Sequence, residues 1–111
     1  MSIQTSTRIK SRPYEEFLQE ELQDLELAAA YLSIALEEGT PEEFLLALRG
    51  VADAHGGIAA IAEAAQLNRQ SLYRTLSRNG NPTLTTLTSI LHALGLKLTI
   101  TQASVEDLTL H

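Results

Sequence analysis

The chain has 111 residues, 44% of them hydrophobic, which is enough for one domain with an apolar core. It contains no cysteine, which excludes disulfides, thiolate metal sites and cysteine nucleophiles. No apolar run approaches the ~18 residues of a membrane span, and the first residues lack the apolar centre of a signal peptide. We therefore expect a cytoplasmic protein without a membrane partner.

The formal charge of −6 is distributed unevenly along the chain. Residues 1–12 carry +3, residues 13–53 carry −10 with Arg49 as their one base, and residues 54–100 carry +3. Regions of opposite sign indicate partners of opposite sign. Acid-rich helices can also serve solubility alone, so charge by itself leaves both interpretations open.

The first region has the pattern of a helical arm. Pro13 suits the first turn of a helix, and apolar residues then recur at steps of three and four as far as Gly39. This spacing predicts one amphipathic helix, or two helices with a break near Asp24.

The next helix start is explicit in the sequence. Thr40 can cap a helix, Pro41 suits its first position, and Glu43 stands where a capping box needs it. This helix is expected to reach the stop signal Gly56-Gly57, and a short alanine-rich helix follows from Ile58.

The most basic stretch, residues 69–78, predicts a further helix capped by Asn68. The loop "NGNP" follows, in which Gly80 can take a positive φ, and Thr83 then caps a last helix that ends at Gly95. Beyond it, apolar side chains alternate with polar ones, which predicts a short half-buried strand. Because a lone strand needs a partner, we expect two copies to pair it in a homodimer. The strand residues assigned to this dimer contact are Leu96, Leu98 and Ile100.

The basic helix has an apolar face and a polar face at 100° per residue. The polar face carries Gln70, Ser71, Arg74, Ser77 and Arg78. A helix built only for solubility would mix acids with its arginines, and this face has none. Arginine, glutamine and serine supply the donors and acceptors that base edges and phosphates require, so the face is typical of a recognition helix for double-stranded DNA.

The segment "GGIAAIAEAAQLNRQSLYRTLSRNGNPTLTTLTSILHALGLKLTI" resembles the helix-turn-helix of the lambda-repressor-like (Xre) class. More narrowly, the words "AAAYL", "ALRGVADA", "RQSLYRTLS", "GNPTL" and "ALGLKL" resemble the addiction-module antidote proteins, the HigA-like antitoxins. The resemblance extends over about residues 13–101. It implies an antitoxin that binds a small basic HigB/RelE-like ribonuclease toxin and represses the shared operon as a dimer.

The resemblance also implies roles for individual residues. The start of the basic helix would read DNA, and three later residues would approach the DNA backbone. The complete DNA-binding set is Arg69, Gln70, Ser71, Arg74, Arg78, Asn81 and Thr83. The packing positions would be Leu72, Tyr73, Leu76, Leu84, Leu87, Leu91 and Leu94. In the acidic region, a basic toxin would dock on Glu37, Glu38, Glu42 and Glu43.

We therefore expect an all-α, lambda-repressor-like helix-turn-helix fold with an N-terminal helical arm and a short C-terminal β-strand. The expected parts are a basic tail (1–12), the helical arm (13–39), the DNA-binding domain with its terminal strand (40–101) and a second tail (102–111).

Other classes of function have weaker support. The three histidines are widely spaced, so we expect no metal site and no cofactor, and His55 is better placed to interact with a helix C-terminus. Adjacent glutamates on a helix point in different directions, so we expect no catalytic residue and no enzyme. An orphan Xre-type regulator without a toxin, and an adaptor that binds proteins through its acidic arm, remain alternatives.

Overall fold

A computed structural model describes residues 11–104, and within them the chain forms α-helices and no strand. The helices are α1 (Ser11–Leu22), α2 (Leu25–Glu38), α3 (Pro41–Ala54), α4 (Ile58–Ala65), α5 (Arg69–Thr75) and α6 (Leu84–Ala93). Most of the first predicted tail and most of the second lie outside the described residues. No single helix in the described part is both long and apolar enough to cross a membrane.

Local capping determines where several helices begin. The arm divides near Asp24, as one alternative predicted, because the Asp24 carboxylate accepts a hydrogen bond from the backbone N–H of Glu26 at 2.8 Å. The predicted capping box is also confirmed: Thr40 Oγ1 accepts from Glu43 N at 3.1 Å, and Glu43 Oε1 accepts from Thr40 N at 2.9 Å. Paired bonds of this kind satisfy amides that have no partner within the helix.

One apolar core joins all the helices of the described region. Helix α3 packs against α1, α2 and α4, whereas α4 packs against α5 and α6. The axes of α3 and α4 meet at 90°, so these two helices form the corner around which the others are arranged. The most deeply buried large side chains of the core are Leu48, Val51, Leu72, Leu76 and Ile90.

The predicted half-buried strand is absent from the described residues. No backbone ladder forms after α6, and the side chain of Ile100 is 97% exposed. The physical reason is that a strand needs a neighbouring strand for its backbone N–H and C=O groups, and residues 11–104 of a single chain supply none. Of the three residues assigned to the strand, Leu96 packs partly against the core, whereas Leu98 and Ile100 are exposed.

Two of the expected packing positions are not buried. Leu84 is 68% exposed because it is the first residue of α6, and Tyr73 is 44% exposed because it lies at the edge of the apolar face of α5. Gly80, which is able to take a positive φ, does not use one. A glycine is required there for a different reason, since a Cβ at Gly80 would overlap the carbonyl group of Thr75.

Candidate nucleic-acid and partner-binding surfaces

Helix α5 is held to the rest of the protein by one narrow apolar stripe. Its start is fixed by Asn68, whose Oδ1 accepts a hydrogen bond from Ser71 N at 2.8 Å. Leu72 and Leu76 are each only 1% exposed and anchor the helix in the core. Because the helix is short and packs closely on α4, the face opposite these leucines is turned outward.

Helix α5 exposes four of the side chains that the sequence assigned to DNA. Arg69, Gln70, Ser71 and Arg74 are all exposed. Arg74 Nη2 donates a long hydrogen bond of 3.4 Å to Ser71 Oγ, one turn earlier on the same face. Neither Arg69 nor Arg74 forms an ion pair with an acid of the described residues. The guanidinium groups of Arg69 and Arg74 are therefore available to an anionic partner.

The helix ends earlier than predicted, at Thr75 rather than near position 78. Ser77 is half-buried, and its hydroxyl donates to the carbonyl oxygen of Arg74 at 2.6 Å, so it closes the end of the helix. Arg78 is exposed but lies beyond the last turn. The polar face that the helical wheel predicts is therefore continuous only through Arg74.

A cleft of about 640 Å³ lies between the start of α3 and the end of α5. Arg78 lines it together with Glu42, Glu43 and Arg49. Acidic side chains in the same cleft lower the positive potential around Arg78. Arg49, the single base of the acidic region, lines the same cleft as Arg78, which sequence spacing could not reveal.

The two remaining DNA-assigned residues follow the loop after α5. Asn81 is exposed, and Thr83 is the N-cap of α6. The hydroxyl of Thr83 accepts from Thr86 N and donates to Thr86 Oγ1, both at 3.1 Å. This side chain is therefore occupied with capping, and its contribution at a DNA backbone would come from the amides that begin α6.

The four glutamates assigned to a toxin are all exposed at the turn between α2 and α3. Glu37 and Glu38 lie in the last turn of α2, where the helix dipole disfavours a negative charge. Glu42 and Glu43 lie in the first turn of α3, where the dipole favours it. Helix stability therefore accounts for the position of Glu42 and Glu43, but it does not account for that of Glu37 and Glu38.

One of the histidines, His55, has a structural contact. His55 Nε2 donates to the carbonyl oxygen of Leu22 at 2.8 Å, so the ring ties the end of α3 to the C-terminus of α1. This agrees with the expectation that His55 interacts with a helix C-terminus, although the helix is not its own. No cluster of three potential metal ligands occurs among residues 11–104. His111 lies outside the described residues.

Comparison with known proteins identifies the family. The model of the family described as "Probable addiction module antidote protein" matches residues 14–102, which is most of the chain. The chain belongs to this family. An uncharacterized protein of Haemophilus influenzae is 37% identical over 73 residues, covering 66% of this chain and 74% of that protein. No solved structure matches the chain. Membership in an antidote family implies a toxin partner of some kind.

Proposed function

We propose that the protein is the DNA-binding antitoxin of a type II toxin-antitoxin module. In this proposal it neutralises a small basic ribonuclease toxin of the HigB/RelE-like kind and represses its own operon in the cytoplasm, without catalysis. The helix pair α4–α5 acts as an Xre-type helix-turn-helix, and α5 enters the major groove of operator DNA.

The observation that carries the DNA-binding part is the exposed, acid-free face of α5. Gln70, Ser71 and Arg74 project from a helix whose opposite side is anchored by two buried leucines, and Arg69 is exposed in the first turn of the same helix. Arginine suits guanine and glutamine suits adenine in the major groove. Helix α4 begins at Gly57 without a side-chain cap, which leaves amides there for a phosphate beside the groove.

The homodimer is proposed from the segment after α6. Leu98 is 40% exposed and Ile100 is 97% exposed, although both alternate with polar residues as in a strand. Pairing this segment with a second copy across a twofold axis would bury both side chains and set two α5 helices about one DNA turn apart. In light scattering, Leu98→Lys with Ile100→Lys is expected to give a monomer. An unchanged dimer would assign the contact to another surface.

DNA reading is tested with a fluorescent duplex from the region upstream of the gene and a scrambled duplex of equal length. Arg74→Ala is expected to lose ~1–3 kcal/mol of binding free energy on the upstream duplex and much less on the scrambled one. Arg78→Ala is expected to lose less than Arg74→Ala, because Glu42 and Glu43 share its cleft. Equal losses on both duplexes would reassign Arg74 to a phosphate contact.

Toxin capture is tested by co-purification with the product of the adjoining gene. Reversing the charge of Glu37 and Glu38 is expected to weaken capture. Both substitutions also relieve an unfavourable dipole interaction, so we expect them not to destabilise the helix. Wild-type protein that binds the upstream duplex but captures no product would favour an orphan regulator. Wild-type protein that captures the product but does not bind the upstream duplex would favour a protein-binding adaptor.

A further inference from the structure

Helix α2 is apolar on two sides, although only one of them is covered. Ala28 and Leu32 are buried in the core, at 0% and 5% exposure. A second stripe, Leu27, Tyr31 and Ile34, follows the same helical spacing on another side. Within this stripe, Leu27 is 43% exposed and Ile34 is 57% exposed. A helix with apolar residues around most of its circumference is typical of one that is covered by neighbours on several sides.

The second stripe forms one wall of a groove between α2 and α3, which we call the α2–α3 groove. Tyr31, Ile34 and Ala35 line it from α2, and Ala47, only 6% exposed, lines it from α3. Its volume of about 320 Å³ is at the lower end of the range for ligand pockets, which is room for a few side chains.

Carboxylates stand at one end of the α2–α3 groove. Glu38 and Glu43 line it beside Gly39, where α2 ends. Glu43 is engaged through Oε1 in the capping box, whereas Glu38 makes no hydrogen bond or ion pair with the described residues. Glu38 also faces an unfavourable helix dipole. An apolar groove with an uncompensated negative rim is complementary to a partner that presents an apolar side chain next to a lysine or arginine.

We propose that the α2–α3 groove is the docking site for the basic toxin, which inserts an apolar side chain beside Ile34 and sets a cation against Glu38. This inference rests on the proposed function, because the toxin is its occupant. The centre of the proposed interface is then an apolar groove rather than the four glutamates, two of which, Glu38 and Glu43, form its rim. Interfaces commonly have this anatomy, with an apolar centre and a charged edge.

The chain offers a closely matched control for the test. Ile34 and Leu36 are on the same helix and are similarly exposed, at 57% and 51%. Ile34 lines the α2–α3 groove, whereas Leu36 lines a different groove next to Pro82 and Leu87. Ile34→Asp and Leu36→Asp therefore add the same charge to the same helix on two different surfaces. Because Leu36 is nearer the C-terminus of α2, where the helix dipole disfavours a negative charge, the stabilities of the two variants are compared as well.

The experiment measures the affinity of the full chain for the purified product of the adjoining gene. Ile34→Asp is expected to weaken binding about 30-fold or more, and Ile34→Ala, which adds no charge, about fivefold or more. Glu38→Gln is expected to weaken it about two- to fivefold, and less at high salt. Leu36→Asp is expected to bind as the wild type does. Circular dichroism melting checks that each variant is folded.

The outcomes separate this inference from the function on which it depends. Wild-type binding with an equal response to Ile34→Asp and Leu36→Asp, or with no response to either, would overturn the groove and leave the antitoxin proposal intact. Loss of self-association in Ile34→Asp, with binding of the product unchanged, would assign the groove to a second copy of the chain. A product that the wild type does not bind would overturn the toxin partner itself.

Discussion

The two halves of the molecule differ in what they leave exposed. Helices α1–α3 belong to the acidic region, residues 13–53 with a net charge of −10, and they expose apolar side chains beside carboxylates. Helices α4–α6 belong to the region of charge +3, and α5 exposes arginine, glutamine and serine. Apolar surface with a charged rim suits a protein partner, whereas basic polar surface suits nucleic acid. One core therefore supports two surfaces that differ in chemical character.

The largest expected effect comes from truncating Leu72, a buried side chain that holds α5 in the core. Leu72→Ala is expected to cost ~2–5 kcal/mol of unfolding free energy, because it leaves a cavity in the core. Leu22→Ala is the matched control, since Leu22 is equally buried but belongs to α1. Urea unfolding measures both costs, and DNA binding is expected to fail more severely in Leu72→Ala. If Leu72→Ala and Leu22→Ala are equally stable and bind DNA equally well, the two halves of the molecule do not act separately.

A smaller effect is expected at the end of α5. Gly80→Ala is expected to cost ~1–3 kcal/mol, because the added Cβ would overlap the backbone of Thr75 and displace the turn that follows. Gly50→Ala in α3 is the control: nothing lies within 4 Å of its Cβ position, so the change should stabilise by about 1 kcal/mol. Thermal melting that shifts both variants in the same direction would contradict this account of Gly80.

A matched pair of caps compares the halves more directly. Thr40→Ala removes the cap of α3 and Asn68→Ala removes the cap of α5, each at a cost of ~0.5–2 kcal/mol. We expect the first to affect toxin capture more and the second to affect DNA binding more. The measurement is the ratio of the two binding constants for each variant. A ratio that is the same for both would show that the caps act only through global stability.

The smallest expected effect lies in the turn that joins α4 to α5. Gln66 has φ 59° and ψ 44°, a left-handed conformation that costs a side chain energy and suits glycine. Gln66→Gly is expected to stabilise by ~0.5–1 kcal/mol, and Gln66→Ala, which keeps the Cβ, is expected not to. Melting temperatures of the two variants check this, and a gain in the alanine variant alone would refute it.

The sequence predicts the starts of helices well, because caps are local. Thr40, Asn68 and Thr83 all cap the helices that residue spacing assigned to them. The predicted strand is absent from the described residues because a strand needs a partner strand that can be distant in the sequence. Alternation of apolar and polar side chains does not supply that partner.

The candidate site could be predicted only where it depends on one helix. Gln70, Ser71 and Arg74 are exposed, as the helical wheel predicts for the polar face, and Arg69 is exposed beside the apolar face. The meeting of Arg49 and Arg78 in one cleft, and of Ile34 and Ala47 in one groove, depends on the packing of separate helices. The spacing of residues along the chain does not predict that such residues lie together.

The central claim is that the exposed face of α5 binds DNA while the acidic half does not. It is tested most directly by fluorescence anisotropy of the upstream duplex with Arg69→Ala/Arg74→Ala. The account predicts a loss of ~2–6 kcal/mol in binding free energy, about the sum of two good base contacts, with toxin capture unchanged. An affinity for the duplex equal to that of the wild type would contradict it.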